Sequence, residues 1–427
     1  MTRWRFLIPL AWASAWNRRA TLGLTLIAIV LASTLLLAVE RLRHDARESF
    51  AQSVSGSDLI VGARGSPLQL VLHSVFHLGE PGNNIAWQSY RQIAADPAVA
   101  WSIPLSLGDS HRGYPVLGTT ADYFRHFRYG LRTPLALAAG RAFAAGRDGI
   151  FEAVLGAEVA ARLGYRLGQA ILLSHGTGAL PGLEHAGKPF TVVGILAATG
   201  TPVDRTVHVD LAAIEAIHLD WQGGMPLPGL SIPAEQVGKF DLTPREITAF
   251  LIGLHHRTAV FGLQRRIAGF KDEPLQAVLP GVVLDQLWQN LAFGETLLRG
   301  LSWLILALGL SGLLATMLAG LGERRRELAI LRTLGAGLPQ IAILLLLENL
   351  LLGLSGALGG LLLLTLGSGL LAPWLVQHWG IVLQSSFPGG DEIRLIATIV
   401  ATATLAGLLP AWQASRQALA DGLTPRL

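Results

Sequence analysis

The 427-residue chain contains no cysteine. That removes disulfides, thiolate metal sites and a cysteine nucleophile together. The chain is also poor in charge: 15% of its residues are Asp, Glu, Lys or Arg, against roughly 25% in average globular chains. No G-x-x-x-x-G-K-[ST] occurs. The Gly-Lys pairs, Gly187-Lys188 and Gly238-Lys239, are followed by Pro189 and Phe240, so no Walker loop is present to cradle nucleotide phosphates. H-E-x-x-H and G-x-S-x-G are missing too. Catalysis by these residues is therefore not expected. The net charge of +4 and sequence pI near 9.7 do not imply nucleic acid, because the arginines cluster beside apolar runs, where they set topology.

What the chain has is apolar length. It is 51% hydrophobic with mean hydropathy +0.47. Four stretches can cross a hydrocarbon core of about 30 Å: TM1 at 20–39, TM2 at 296–321, TM3 at 341–372 and TM4 at 393–410. Residues 1–19 carry Arg3, Arg5, Arg18 and Arg19 among Trp4, Trp12 and Trp16, which reads as an interfacial amphipathic helix. A signal peptide is the rival reading, but the run that follows is too long for an h-region and no small-residue cleavage site succeeds it. TM3 is long for one span, so it tilts or breaks at Gly353, Gly356, Gly359 or Gly360. Arginines number four at the N-terminus, four in 322–340, two in the tail 411–427, and none in the loop 373–392. This asymmetry puts both termini and 322–340 in the cytoplasm, and 40–295 and 373–392 outside.

Residues 40–295 hold most of the charge and eleven of the twelve histidines. Glu40–Val54 continues TM1 as a stalk helix. Ser57–Val61, Val99–Leu107, Tyr114–Gly118, Phe190–Ile195 and Thr206–Val209 read as strands, and Asn84–Ala95, Leu211–Ile217 and Thr258–Ala268 as helices. Phe151–Leu163 reads as strand then helix, stopped by Gly164. Gly223–Pro233 is rich in Pro and Gly and reads as loop, and Val282–Phe293 runs as helix into TM2. The fold class is therefore a membrane protein with four transmembrane α-helices and a large extracytoplasmic α+β domain between TM1 and TM2.

Between TM2 and TM3 lies a charged island, GERRRELAILRTLGA, at 322–336. Charge alone makes it a topogenic loop. As a short helix it has an apolar face (Leu328, Ile330 and Leu331, with Leu334) and a charged one (Glu323, Arg324, Arg325, Arg326, Glu327, Arg332), which suits docking into a partner's groove, with Gly335 and Gly337 supplying its stop.

The island resembles the cytoplasmic motif of the FtsX/MacB-type ABC-transporter permease family, an E-R-x-x-E-I-x-x-x-R-x-x-G-A pattern after the second span. Glu323, Arg324, Glu327, Leu328, Arg332, Gly335 and Ala336 occupy its positions, with Leu in place of the usual Ile. AVLGAEVAARLGYRLGQAILL followed by FTVVGIL resembles the family's periplasmic core domain. GLLPAWQASRQALADGL resembles its tail, without the later Pro. Segment 56–130 matches no general family pattern. The resemblance implies a multi-pass permease of the bacterial inner membrane. It works with a separate cytoplasmic ATPase that binds ATP and Mg²⁺, and with a second permease copy in a homo- or heterodimer. Members extrude peptides or macrolides, extract lipoproteins or activate cell-wall hydrolases by transmitting motion, so a periplasmic adaptor, lipoprotein or enzyme is the further class of partner, beside membrane lipid. A non-transporting regulator of a periplasmic enzyme is the alternative. A channel or secondary carrier is disfavoured by the lack of internal repeats and intramembrane charge pairs.

Three further features have two readings each. Glu348 in TM3 is either a carboxylate facing the bundle or one reaching interface water. Gly353, Gly356 and Gly360 suit close helix packing rather than substrate contact. The pairs His73/His77, four apart as on one helix face, and His255/His256 could serve a transition metal, as in a metal-linked transport component, or be ordinary residues of a polar domain. Neither pair has a carboxylate at ligand spacing beside it.

Overall fold

In the computed structural model the described residues are 19–53, 56–79, 82–176, 184–185, 187–222, 225–227, 231–333, 337–379 and 389–416. The N-terminal amphipathic segment therefore lies outside them. The chain forms two compact units, Met1–Ala46 with Leu291–Leu427, and Arg47–Asn290.

The first unit is helical, with four helices long and apolar enough to cross a membrane. Helix α1 (Arg19–Gln52) joins TM1 and its stalk without a break. Its buried positions, Leu22, Thr25, Ile29, Ala32, Ser33, Leu36 and Leu37, recur every three to four residues, while Leu24, Ile27, Leu31 and Leu35 are exposed. Leucine and isoleucine thus occupy both faces, and the residues that are small or carry a hydroxyl, Thr25, Ala32 and Ser33, lie on the inner one. Several hydroxyls inside the helices donate to carbonyls one turn back, as Thr34 does to Val30 and Ser302 to Leu298, whereas Ser33 Oγ is buried without a partner.

Three sequence expectations change here. The charged island is not a separate short helix. It is the end of one continuous 54-residue helix that contains TM2 and runs Pro280–Thr333, about 81 Å at 1.5 Å per residue. No glycine or proline within 322–333, apart from Gly322 at its start, interrupts the hydrogen-bond ladder. TM3 does not break at its glycines: its helix is continuous over Leu338–Trp379, so Pro373–Trp379, read as loop, is helical. TM4 is instead divided, into Gly390–Ala406 and Leu408–Arg416. Pro410 has no N–H to give the carbonyl of Ala406, so the ladder fails at that point.

The second unit carries an eleven-stranded mixed sheet. In chain order its strands are β1 (Leu59–Ala63), β2 (Val99–His111), β3 (Tyr114–Thr119), β4 (Leu137–Gly140), β5 (Glu152–Leu155), β6 (Ala170–Ile171), β7 (Ser174–His175), β8 (Phe190–Leu196), β9 (Val207–Asp210), β10 (Ala249–Leu254) and β11 (Leu275–Val278). Their spatial order is β11-β1-β10-β2-β3-β9-β5-β8-β4, with β6 on β8 and β7 on β2. Helices Trp87–Ala94, Ala157–Leu163, Leu211–His218 and Val260–Ala268 cover it. Ala157–Leu163 ends where Gly164 takes φ +69°, the left-handed turn that glycine makes without strain.

Two local expectations differ. Pro67–Phe76 is a helix, capped by Ser66 and started by Pro67, within the segment left without a family pattern. Met225–Pro226, inside the expected loop, pairs with Trp221–Gln222.

Candidate functional site

The charged island provides the first candidate surface. Its backbone is helical to Thr333. The side chains of Glu323, Arg324, Arg325, Arg326, Glu327, Leu328 and Leu331 lie outside the described residues, as do Gly335 and Ala336. Arg332 is half-buried and engaged in an interaction.

The inner faces of the spans are better defined. A Cβ on Gly356 would lie 2.4 Å from Ile29 Cγ2, and one on Gly360 2.7 Å from Ser33 Cβ and 3.0 Å from the Thr34 nitrogen. These glycines let the TM3 and TM1 backbones approach, and Thr34 Oγ1 donates to the Gly360 carbonyl at 3.3 Å. Gly353 fills the same role against TM4, where a Cβ would meet Ala403 at 2.7 Å. Glu348 is buried and engaged in an interaction. Its neighbour Asn349, which sequence reading passed over, is buried and donates to the Leu345 carbonyl at 3.1 Å. Asn349 lies against Gly407, where TM4 is divided: a Cβ there would sit 2.3 Å from its Nδ2.

A charge pair joins the helix of TM1 to that of TM4, just beyond the spans 20–39 and 393–410. Arg41 Nε and Nη2 donate to Glu392 Oε1 and Oε2 at 2.8 and 3.1 Å, with both side chains less than a tenth exposed. Glu392 is the third residue of its helix, so the pair lies at a span's end rather than along its length. Glu40 pairs nearby with Arg43, and with Arg299 of TM2 at 3.4 Å. No pattern in the sequence pairs positions 351 residues apart.

The histidines fall out differently from the sequence pairs. His77 is not on a helix face with His73: it ends the Pro67–Phe76 helix in the left-handed conformation, and its Nδ1 contacts Thr206 Oγ1 at 3.2 Å. His255 and His256 are exposed. Among the described residues neither pair belongs to a group of three or more metal-capable side chains.

One such group exists: Asp109, His175, His185 and His218, whose ligand atoms lie within 4.8 Å of one another. Asp109 follows Gly108, which takes φ +153° where the register of β2 against β3 slips. The irregularity buries Asp109, Ser110 and His111 in succession. Strand β7 then sets His175 directly opposite Asp109. His218 is the last residue of the Leu211–His218 helix, and His185 follows Glu184, which bridges to Ser174. His175 Nδ1 is 3.1 Å from both Asp109 Oδ1 and His218 Nε2, and His218 Nε2 is 3.5 Å from Asp109 Oδ1. His218 Nδ1 donates to the Ile214 carbonyl at 2.8 Å. Both nitrogens of His185 are buried without a partner. Burial opposes ionisation of Asp109, but the facing imidazoles of His175 and His218 outweigh it and take its carboxyl to about 2. Burial and the adjacent His218 push His185 down to about 4. The spacings between these four residues match no metal motif in the sequence, and the pairing of β7 with β2 is what assembles them.

These features define a class first: a multi-pass membrane protein whose first two spans flank an extracytoplasmic α+β domain. The family model for the FtsX-like permease C-terminal region matches residues 299–419, and that for the MacB-like periplasmic core domain matches 22–226. The chain belongs to the FtsX/MacB-type ABC-transporter permease family, and with its four apolar helices it is an inner-membrane protein. A curated relative, the macrolide export ATP-binding/permease protein MacB of Azoarcus sp. (strain BH72), is 23% identical over 407 residues, covering 92% of this chain and 55% of the relative. The chain thus spans about half the length of that relative. Among solved structures, the periplasmic region of MacB from Actinobacillus actinomycetemcomitans gives a TM-score of 0.34 at 9% identity, covering 56% of this chain and 97% of that one. The extracellular domain of the noncanonic ABC-type transporter YknZ from Gram-positive bacteria gives 0.29 at 12% identity, with 52% and 98% covered.

Proposed function

We propose that this chain is the permease component of an ABC system, coupling ATP hydrolysis by a cytoplasmic ATPase to movement of its extracytoplasmic domain. In this reading the termini and 322–340 face the cytoplasm. The carrying observation is helix continuity. Residues 322–333 of the family motif are the end of the same unbroken helix that begins at Pro280, directly after strand β11 of the domain. An α-helix resists axial compression because each turn is hydrogen-bonded to the next, so a displacement at its charged end is passed along the helix rather than absorbed in a loop. Helix α1 likewise joins TM1 to its stalk without a break. The spans offer small residues and hydroxyls that mostly bond within their own helix rather than a polar stripe, which favours transmitted motion over passage through a wide pore. Two permease copies would flank the ATPase pair, and the domain would act on a periplasmic or membrane-embedded substrate.

The test is co-purification with a cytoplasmic ABC ATPase, followed by charge reversal of Arg324, Arg325 and Arg326 to Glu in full-length chain. ATPase stimulation is expected to fall at least about tenfold, the equivalent of 1.4 kcal/mol of lost coupling. Unchanged association and stimulation would overturn the proposal.

A further inference from the structure

The permease reading makes no use of Asp109, His175, His185 and His218. We propose that these four side chains bind one divalent transition-metal ion, Zn²⁺ by donor set, in a tetrahedral site of the extracytoplasmic domain. The proposal stands whether or not the chain drives transport.

The His218 Nδ1 faces a carbonyl, which can only accept, so Nδ1 carries the hydrogen. In the neutral ring Nε2 is then a bare lone pair, aimed at Asp109 Oδ1 and His175 Nδ1. Fixing the tautomer through a backbone carbonyl is how proteins orient a metal-binding imidazole. His175 Nδ1 has at most one hydrogen for two acceptors, Asp109 Oδ1 and His218 Nε2, each 3.1 Å away. One contact therefore sets lone pair against lone pair. His185 adds an imidazole whose two nitrogens have no partner while the residue is only 3% exposed. A single cation among the four atoms answers every one of these groups.

The dimensions agree. With zinc–nitrogen and zinc–oxygen bonds of about 2.0–2.1 Å, a tetrahedron has edges of about 3.4 Å. The triangle formed by Asp109, His175 and His218 has sides of 3.1, 3.1 and 3.5 Å. His185 supplies the fourth corner, within 4.8 Å of the others. Three imidazoles and one carboxylate suit Zn²⁺ or Co²⁺ and not the all-oxygen preference of Mg²⁺ or Ca²⁺. Trp221 roofs the cluster, its ring centroid 4.2 Å from that of His185, 5.8 Å from His175 and 6.2 Å from His218. The adjacent cation does not compete for the carboxylate, because buried Lys188 is paired with Asp220 at 2.5 Å.

The test uses full-length chain in detergent, stripped with a chelator and titrated with Zn²⁺ alone against a chromophoric competitor, with bound metal counted by mass spectrometry. One Zn²⁺ per chain is expected, with the intense visible absorption of a tetrahedral ion when Co²⁺ replaces it. His185→Gln and His218→Gln should each weaken binding by at least about 100-fold, beyond the 10–100-fold typical of outer-shell changes. The His255→Gln/His256→Gln double variant should bind as the parent does. His185→Gln is the decisive variant, because the His185 nitrogens hold no hydrogen-bond partner, so the substitution takes no hydrogen bond from the apo fold. Zn²⁺ should therefore raise the thermal midpoint of the parent and not that of His185→Gln. Equal binding by parent and His185→Gln, or no bound Zn²⁺ because the cluster shares a proton instead, would overturn the site.

Discussion

Removing Glu392 tests how TM1 is held to TM4. Arg41 and Glu392 make two parallel hydrogen bonds at 2.8 and 3.1 Å and are buried together. At an effective dielectric near 20 their attraction across about 3 Å is roughly 5–6 kcal/mol. Desolvation of the two ions offsets most of that, so the intact pair adds little net stability. A single deletion behaves differently. Glu392→Ala strands a buried guanidinium and should cost about 3–5 kcal/mol, and Arg41→Ala should cost the same for the opposite charge. Glu392→Gln keeps the shape and one acceptor, so its cost should be about 1.5–3 kcal/mol, the range for a hydrogen bond to a charged group. The Arg41→Met/Glu392→Leu pair removes both charges while keeping volume and should lie within about 1–2 kcal/mol of the parent. The assay is reversible unfolding in a defined detergent, with Arg41→Met and Glu392→Leu also made singly so that they and the double close a double-mutant cycle. The signature is strong non-additivity, with each single variant worse than the double. Additive effects, or a Glu392→Ala cost below about 1 kcal/mol as at an exposed pair, would refute the reasoning.

Two further outcomes follow from packing and burial. Gly360→Val would drive a Cβ toward the Thr34 nitrogen at 3.0 Å and the Val30 carbonyl at 3.1 Å, backbone atoms that cannot swing aside. It should cost about 1–3 kcal/mol, read as a lower thermal midpoint, and an unchanged midpoint would show that TM1 and TM3 are not packed there. Acid should weaken the extracytoplasmic domain through His208, which is fully buried beside Tyr123 and Phe124 and pushed by that burial down to about 4. The folded state then holds fewer protons than the unfolded one between about 6.5 and 4. His208's contribution, on the order of 3 kcal/mol, is present above that window and lost as pH falls through it. His208→Leu should flatten the pH dependence of the unfolding midpoint, and parallel slopes for parent and variant would count against the assignment.

Much of this was legible in the chain. Hydropathy over 18 or more residues found all four spans, because a bilayer core imposes a length that no other environment does. The strand–helix–glycine order of Phe151–Gly164 was readable because period, propensity and the left-handed glycine agree there. Helix Pro67–Phe76 was not, because its apolar residues are too evenly spread to distinguish it from a buried strand. The break in TM4 was missed because Pro410 sat where the apolar run was ending in any case.

By itself, then, the sequence determined the spans, the α+β character of the domain and the family motif at 322–336, all of which rest on local composition and spacing. Tertiary structure alone decided which side chains meet. Arg41 finds Glu392 only once two helices pack, and Asp109 finds His175 only because β7 pairs with β2 in one register. A one-residue slip of that register would turn His175 to the other face of the sheet, and a linear sequence carries no direct record of which register wins.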